Sequence, residues 1–226
     1  MAGNLQEGIR FFLSKRWTMA LEEFKTTDAA ELSGEENAEL VYYLGLCYTK
    51  LGQYEDALLY LEQVVTNGSN PLRAYQCRMA LAYIYTRTQR SKMAEFELNR
   101  LVSAGFESVQ LYTTLAYVAW AQKHYKRAVE FYEKALELDA NNSTALNGLG
   151  FILVDTGMDI NRGLRCCRKA VDRKPQNPAY LDSLGWAYFK CGDYQEARVW
   201  LRRAKDLAPR ESEIKLHMRM VVGDVK

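Results

Sequence analysis

The sequence predicts an all-α protein: a right-handed superhelical solenoid of about six stacked helix hairpins with a C-terminal capping helix. Three observations carry this expectation. In DSLGWAYFKCGDYQEA, residues 182–197, Leu184, Tyr188 and Cys191 recur at helical spacing until Gly192-Asp193 interrupts them. A second helical run starts at Tyr194, places Ala197, Leu201 and Ala204 on one face, and is closed by Pro209. The same pattern then recurs along the whole chain at nearly constant spacing, and internal repetition of this length is the mark of a stacked-repeat architecture.

The hairpin has a simple packing logic. Gly185 and Ala197 are small because two helices cross there, and a larger side chain at either would push them apart. Gly185 has counterparts at Gly8, Gly45, Ala82, Ala116 and Gly150. Ala197 has counterparts at Ala20, Ala57, Ala94 and Ala128, with Gly163 in the fifth copy. Leu184 is echoed by Leu44, Leu81, Leu115 and Leu149, with Glu7 in the first copy, and Tyr188 by Phe11, Tyr48 and Tyr85. Tyr194 is echoed by Trp17, Tyr54 and Tyr125. The frames that result are 1–37, 38–74, 75–108, 109–142, 143–177 and 178–211, read together as one domain over 1–226. Extra residues fall in the connections of the first two frames and in the turn GMDINRG of the fifth, where an insertion costs little. The last stretch, ESEIKLHMRMVV, reads as an amphipathic capping helix over 212–222 with Ile214, Met218, Val221 and Val222 on one side. A solenoid needs such a cap because its final hairpin would otherwise present an apolar face to water.

Bulk composition narrows the function classes. The chain has 226 residues, 48% hydrophobic and 26% charged, with only 4 prolines and 14 glycines, so it is neither linker-rich nor disordered. A net charge of +2 does not indicate a dedicated nucleic-acid binder. The charge is uneven: residues 1–64 carry 11 acids against 5 bases, and the remainder 17 acids against 25 bases. Without an apolar run of 18 residues, no membrane insertion is expected. The start of the chain does not read as an export signal, which points to the cytoplasm for the sequence as given. The five cysteines (47, 77, 166, 167 and 191) follow no disulfide or zinc spacing, and Cys47, Cys77 and Cys167 are expected to be structural. His124 and His217 sit in no nucleophile or metal motif and are expected at the surface. No nucleotide-binding, hydrolase or metalloprotease motif occurs, so neither enzymatic activity nor a cofactor is expected.

The Leu-Gly…Tyr…Ala…Ala…Pro spacing resembles that of the tetratricopeptide repeat family, over nearly the whole chain. That resemblance implies stacked hairpins whose first helices line a concave groove, with repeat positions 2, 5, 9, 12 and 13 facing into it. On these positions the expected partner-binding residues are Tyr42, Leu46, Met79, Tyr83, Arg87, Tyr117, Trp120, Asn147, Phe151, Trp186, Phe189 and Lys190. The partner implied is a protein or peptide, held as an extended segment or a helix by aromatic anchors. A carboxylate clamp of the co-chaperone type is not expected, because position 2 reads Ala2, Glu39, Gln76, Gln110, Thr144 and Ala179, none of them basic. Lys50, Arg87 and Lys190 at position 13 suggest a ligand with mixed apolar and acidic groups. The basic run Arg162–Lys174 reads as a solvated outer face. Leu5, Ile9, Phe12 and Leu13 on the first helix form an apolar end surface, which suggests a covering partner or a homo-oligomer through the solenoid ends. The stretch from NGLGFILVDTG to NPAYLDSLGWAYFKCGDY is also similar to the C-terminal repeats of many bacterial repeat proteins, several of them cell-envelope lipoproteins. That similarity implies a bacterial scaffold, periplasmic if an export signal has been removed, and an alternative role as a structural or self-assembling module.

Overall fold

A computed structural model of the chain describes residues 4–67 and 70–223; Ala2 lies outside them. Among the described residues there are thirteen α-helices and one short 3-10 turn. The helices group into two compact units, Met1–Phe106 and Glu107–Lys226. The first unit holds α1 (Leu5–Leu13), α2 (Trp17–Thr26), the 3-10 turn Ala29–Glu31, α3 (Gly34–Leu51), α4 (Tyr54–Asn67), α5 (Pro71–Arg87) and α6 (Ser91–Ser103). The second holds α7 (Val109–Ala121), α8 (Tyr125–Leu138), α9 (Ser143–Asp155), α10 (Ile160–Arg173), α11 (Pro178–Lys190), α12 (Tyr194–Leu207) and α13 (Ser212–Gly223). Each unit therefore contains three hairpins. Within each, consecutive first helices pack on one another, and each second helix also packs on the first helix of the following hairpin.

Every first helix starts on a side chain that can cap it. Asn4, Asn70, Asn142 and Asn177 accept backbone N–H groups of the first turn, as do Ser33 and Ser108. Ser33 and Glu36 form a reciprocal capping box, and Pro71 and Pro178 occupy the first helical position, where no amide donor is needed. Second helices start differently, directly out of the hairpin turn, and those at Trp17, Ser91 and Tyr125 have no side-chain cap.

The hairpin turns share one backbone device. Lys15, Gly52, Gln89, Lys123, Gly157 and Gly192 all have φ between 60° and 83°, in the left-handed region. In five turns the next amide donates to the carbonyl five residues back, for example Gln53 to Tyr48 and Asp193 to Tyr188. In the fifth hairpin the corresponding bond runs from Asp159 to Leu153, six residues back. The inserted residue is thus absorbed inside the turn, and the helices on either side keep their crossing.

At the four crossings built on glycine the close approach leaves no room for a side chain. A Cβ on Gly185 would lie 2.7 Å from Leu201 Cγ, and one on Gly45 would lie 2.8 Å from Leu61 Cδ2. On Gly150 it would lie 2.6 Å from Cys167 Sγ, and on Gly8 it would enter the Phe24 ring. The facing alanines Ala20, Ala57, Ala94, Ala128 and Ala197 are completely buried. Around these contacts sit fully buried large side chains: Phe24, Leu61, Leu81, Ile84, Leu98 and Leu101 in the first unit, and Leu111, Leu115, Leu149, Ile152, Leu181 and Leu184 in the second. Burial of each contributes about 1.5–3 kcal/mol.

The two ends differ in part from expectation. At the C-terminal end α13 packs on α11 and α12, with Val221 buried against Ala197 and Leu201 and with Met218 alongside. Ile214 is buried too, but Val222 is exposed. His217, expected at the surface, is buried on the same helix face. Near the other end Leu5 is buried, Ile9 is half-buried and Phe12 packs edge-on against Tyr43 with ring centroids 5.2 Å apart. Of the four residues read as an end-contact surface, only Leu13 is exposed, at 70%.

Gly185→Val forces the α11–α12 crossing apart and is expected to cost about 1–3 kcal/mol by overpacking, read as a lowered denaturation midpoint. Gln89→Gly removes a left-handed non-glycine residue and is expected to change stability in the opposite direction, by roughly 1 kcal/mol or less after the backbone-entropy cost of glycine.

Candidate partner-binding face

The candidate residues all lie on first helices, but their accessibility differs sharply. In the first unit Tyr83 is 48% exposed, its ring edge-on to Tyr54, with Arg87 exposed one turn further along α5. Leu46 and Met79 are half-buried beside the core. Tyr42 is not available to a partner. It is buried, its hydroxyl bonds to Gln76 Oε1, and it lies against Tyr43 and beneath the Arg73 guanidinium. Burial, with smaller contributions from neighbouring Cys77 and Tyr43, pushes its phenol up to about 12.

In the second unit the aromatic rings form one connected series. Tyr117, 48% exposed, contacts Trp120 at 5.6 Å between centroids, and Trp120 meets Phe151 edge-on at 6.2 Å. Phe151 neighbours the His217 imidazole, which stacks on Trp186 at 4.3 Å; Trp186 in turn stacks on Phe189. Trp186 faces the predicted side but is only 5% exposed. The reason is tertiary: α13 lies over it, His217 covers one face, and the Lys190 ammonium sits 5.0 Å from the ring centroid. Its indole nitrogen donates to Asp155 Oδ1 at 3.0 Å. Trp186 therefore anchors the chain's own cap and is not a free partner anchor. Phe189 is half-buried beside it, while Trp120, Asn147 and Phe151 remain half-buried and reachable.

His217 and Asp182 were not among the candidate residues, yet they organise this region. His217 Nδ1 lies 2.9 Å from Asp182 Oδ2, and both residues are buried. The periodicity of 211–222 held the signal, since His217 is three residues after Ile214 and four before Val221, on the face already assigned to the core. Between α7, α9, α11 and α13 lies a cavity of about 360 Å³. Tyr117, Trp120, Phe151, Asn147, Asp182, Glu211 and Glu213 contribute to its walls. The Glu213 side chain is largely exposed, but its carboxyl is crowded by protein, and that desolvation holds it above the ordinary carboxylate value. His217 pulls against the shift, and Asp182, Asp155 and Glu211 add to it.

Other chemistry-bearing groups have structural surroundings. Cys47, Cys77, Cys166 and Cys167 are buried free thiols, and burial pushes Cys47 and Cys77 up to about 12. The basic run on α10 lies among partners: Arg162 pairs with Glu133, Arg168 with the Tyr188 hydroxyl, and Arg173 with Asn141. Among the described residues no cluster of three His, Cys, Asp or Glu side chains could hold a metal, and no helix is long and apolar enough to cross a membrane.

The stacked hairpins, small-residue crossings and side chains displayed on first helices define an α-helical repeat scaffold of the protein-interaction class. Three stretches, 39–67, 109–142 and 178–211, each match the tetratricopeptide repeat, and the chain belongs to that family. Human protein O-mannosyl-transferase TMTC1 is 28% identical over 85% of the chain, and the human mitochondrial import receptor subunit TOM70 21% identical over 93%. The chain spans only 21% and 35% of those two proteins. Among solved structures, YrrB, described as a tetratricopeptide protein with an unusual peptide-binding site, superposes with a TM-score of 0.61 at 21% identity, covering 90% of this chain and 97% of that one. The Cut9–Hcn1 complex gives a TM-score of 0.78 at 12% identity, over 96% of this chain and 42% of that one. These likenesses establish the fold.

His217→Ala is expected to leave the buried Asp182 carboxylate without its partner and cost about 1–3 kcal/mol. Acrylamide quenching of Trp186 should rise as its cover is lost. Because the folded protein binds the Glu213 proton more tightly than the unfolded chain does, Glu213 favours folding least where it is ionised. Its contribution is best at low pH and is lost as pH rises through its raised folded value. Glu213→Gln should therefore leave stability unchanged or raise it slightly at pH 7, within about 0.5 kcal/mol, with the gain disappearing near pH 4.

Proposed function

We propose that this chain is a non-enzymatic protein-interaction scaffold that holds an extended peptide or a partner helix against the first-helix faces of its hairpins. The observation that carries the reading is a division of labour among the aromatic residues. Tyr48, Tyr85, Tyr112, Tyr132 and Tyr180 are buried and complete the packing, whereas Tyr83 and Tyr117 each leave 48% of their surface exposed on a first helix. Rigid, half-exposed tyrosines suit partner contact because they offer large apolar area with little rotamer entropy to lose. Each makes a ring contact within the chain, Tyr83 with Tyr54 and Tyr117 with Trp120, and still presents 48% of its surface. The peptide-binding site named for YrrB and the import-receptor role named for TOM70 are consistent with this use of the fold.

The self-assembling alternative is less well supported. Leu5 and Phe12 are satisfied within the chain, which leaves Leu13 as the exposed member of the supposed end surface. Light scattering at micromolar concentration is expected to give a monomer.

Photo-crosslinking separates partner contact from packing. With p-benzoylphenylalanine at position 83 or 117, crosslinks to a distinct polypeptide in lysate of the native host are expected, and none from position 180, which is buried. Once that polypeptide is isolated, Tyr83→Ala or Tyr117→Ala should weaken its binding by roughly tenfold or more, the usual scale of an aromatic anchor. Unchanged affinity in both variants would reject the proposed face.

A further inference from the structure

We infer that the cavity enclosed by α7, α9, α11 and α13 is a receptor for the basic side chain, lysine or arginine, of a partner polypeptide. This deepens the scaffold reading and rests on it. The site is built from acceptors that lack donors. Asp182 is 95% buried by its 5% exposure; its Oδ2 is held by His217, but its Oδ1 is buried without any hydrogen-bond partner. Asn147 Oδ1, on the neighbouring first helix α9, is likewise buried and unpartnered. Leaving two such acceptors without donors costs free energy, and because both residues line the cavity, a donor bound there recovers part of that cost once their side chains turn towards it.

The remaining walls select the kind of donor. Glu211 and Glu213 stand at the α13 side, and no lysine or arginine lines the cavity to neutralise them. Opposite, Tyr117, Trp120 and Phe151 present aromatic surface. Carboxylates facing aromatic rings suit a cation carried on an apolar stem: the head group donates to the acceptors while the rings hold the stem and the charge. An anion would meet uncompensated repulsion, and a wholly apolar side chain would leave Asp182 Oδ1 and Asn147 Oδ1 unsatisfied. The acidic ligand suggested by Lys50, Arg87 and Lys190 is therefore not the chemistry of this site.

The chain itself supplies an internal precedent. His217 places a ring nitrogen on Asp182 Oδ2 while its ring stacks on Trp186, so one half of the carboxylate is already engaged by a nitrogen base lying on an aromatic face. The other oxygen has no partner, and its residue lines the cavity. About 360 Å³ is near the lower end of the roughly 300–1,000 Å³ usual for ligand pockets, room for one long side chain and not for a folded element. A polypeptide source fits the setting, because the cavity opens among the first helices that carry Tyr117.

The test uses the full chain labelled with 15N, reading the Trp120 indole resonance, assigned with Trp120→Phe. The probes are the capped pentapeptides Ac-Ala-Ala-Arg-Ala-Ala-amide, its lysine and norleucine counterparts, and the free amine agmatine. Saturable shifts with the arginine or lysine peptide, and none with the norleucine peptide, are expected. Asp182→Asn and Glu213→Gln should each weaken that binding, the former by roughly tenfold. Since Asp182→Asn also disturbs the His217 pair, far-ultraviolet circular dichroism establishes that it is folded, and Glu213→Gln, on an exposed side chain, serves independently. Equal shifts with norleucine, binding unaffected in both variants, or no shift with either basic peptide would overturn the inference. Binding of agmatine without the peptides would overturn the polypeptide source. A partner crosslinked at position 83 or 117 while all peptides fail would leave the scaffold reading standing and sink only this one.

Discussion

The structure depends on how closely two helices of one hairpin may approach. At Gly185, and at its equivalents Gly8, Gly45 and Gly150, the facing helix comes so close that there is no space for a Cβ on the glycine. That contact fixes the crossing of the two helices. The left-handed residue in each turn fixes the direction in which the second helix leaves the first. With both set, the larger residues around them have one way to interdigitate, and each hairpin offers its neighbour the same apolar surface. The Asp159–Leu153 bond in the fifth turn illustrates the priority: the turn changes its hydrogen bonding to take up an extra residue, while Gly150 and Gly163 keep their close approach.

A repeat built this way separates packing from display. Alanines, leucines and the buried tyrosines Tyr48, Tyr85, Tyr112, Tyr132 and Tyr180 are consumed by the core. Residues on the other side of the first helices are released from packing and free to diverge, which is why Tyr83 and Tyr117 can remain half in water. The C-terminal end modifies this arrangement. There α13 covers the last hairpin, and in doing so brings His217, Glu211 and Glu213 beside the first helices of the second unit. A helix needed to hide an apolar face thus also imports charge into a largely aromatic surface. The buried His217–Asp182 pair ties the two functions together: it holds the cap, and it leaves one oxygen of Asp182, a residue of the cavity wall, without a partner.

Local pattern determined much of this in advance. Helix starts carry a local signal that the repeat pattern did not use: asparagine and serine compete well for the free amides of a first turn. Crossings were legible because only glycine and alanine fit them. Turns were legible at Gly52, Gly157 and Gly192, but not at Lys15, Gln89 and Lys123, where the turn's own hydrogen bonds impose a left-handed backbone on residues that give no warning of it. The hairpins, their register and the side of the first helices that carries the aromatic residues were therefore written in the sequence alone, since each follows from contacts between residues fewer than about twenty positions apart.

What the tertiary structure decided is which of those aromatic residues meet solvent. Repeat register treats Trp186 and Tyr117 alike, because both occupy the same position on a first helix. The difference arises from α13, about thirty residues beyond Trp186, which lays His217 on one indole and leaves the Tyr117 ring uncovered. Tyr42 is lost to the surface for a similar reason, sealed by Tyr43 and by Gln76 and Arg73 from the next hairpin. Exposure is a property of everything that packs around a residue, and no spacing rule within one helix contains it. The sequence by itself thus determined the scaffold and the side that displays; only the folded chain, through long-range burial, selected the residues left to bind.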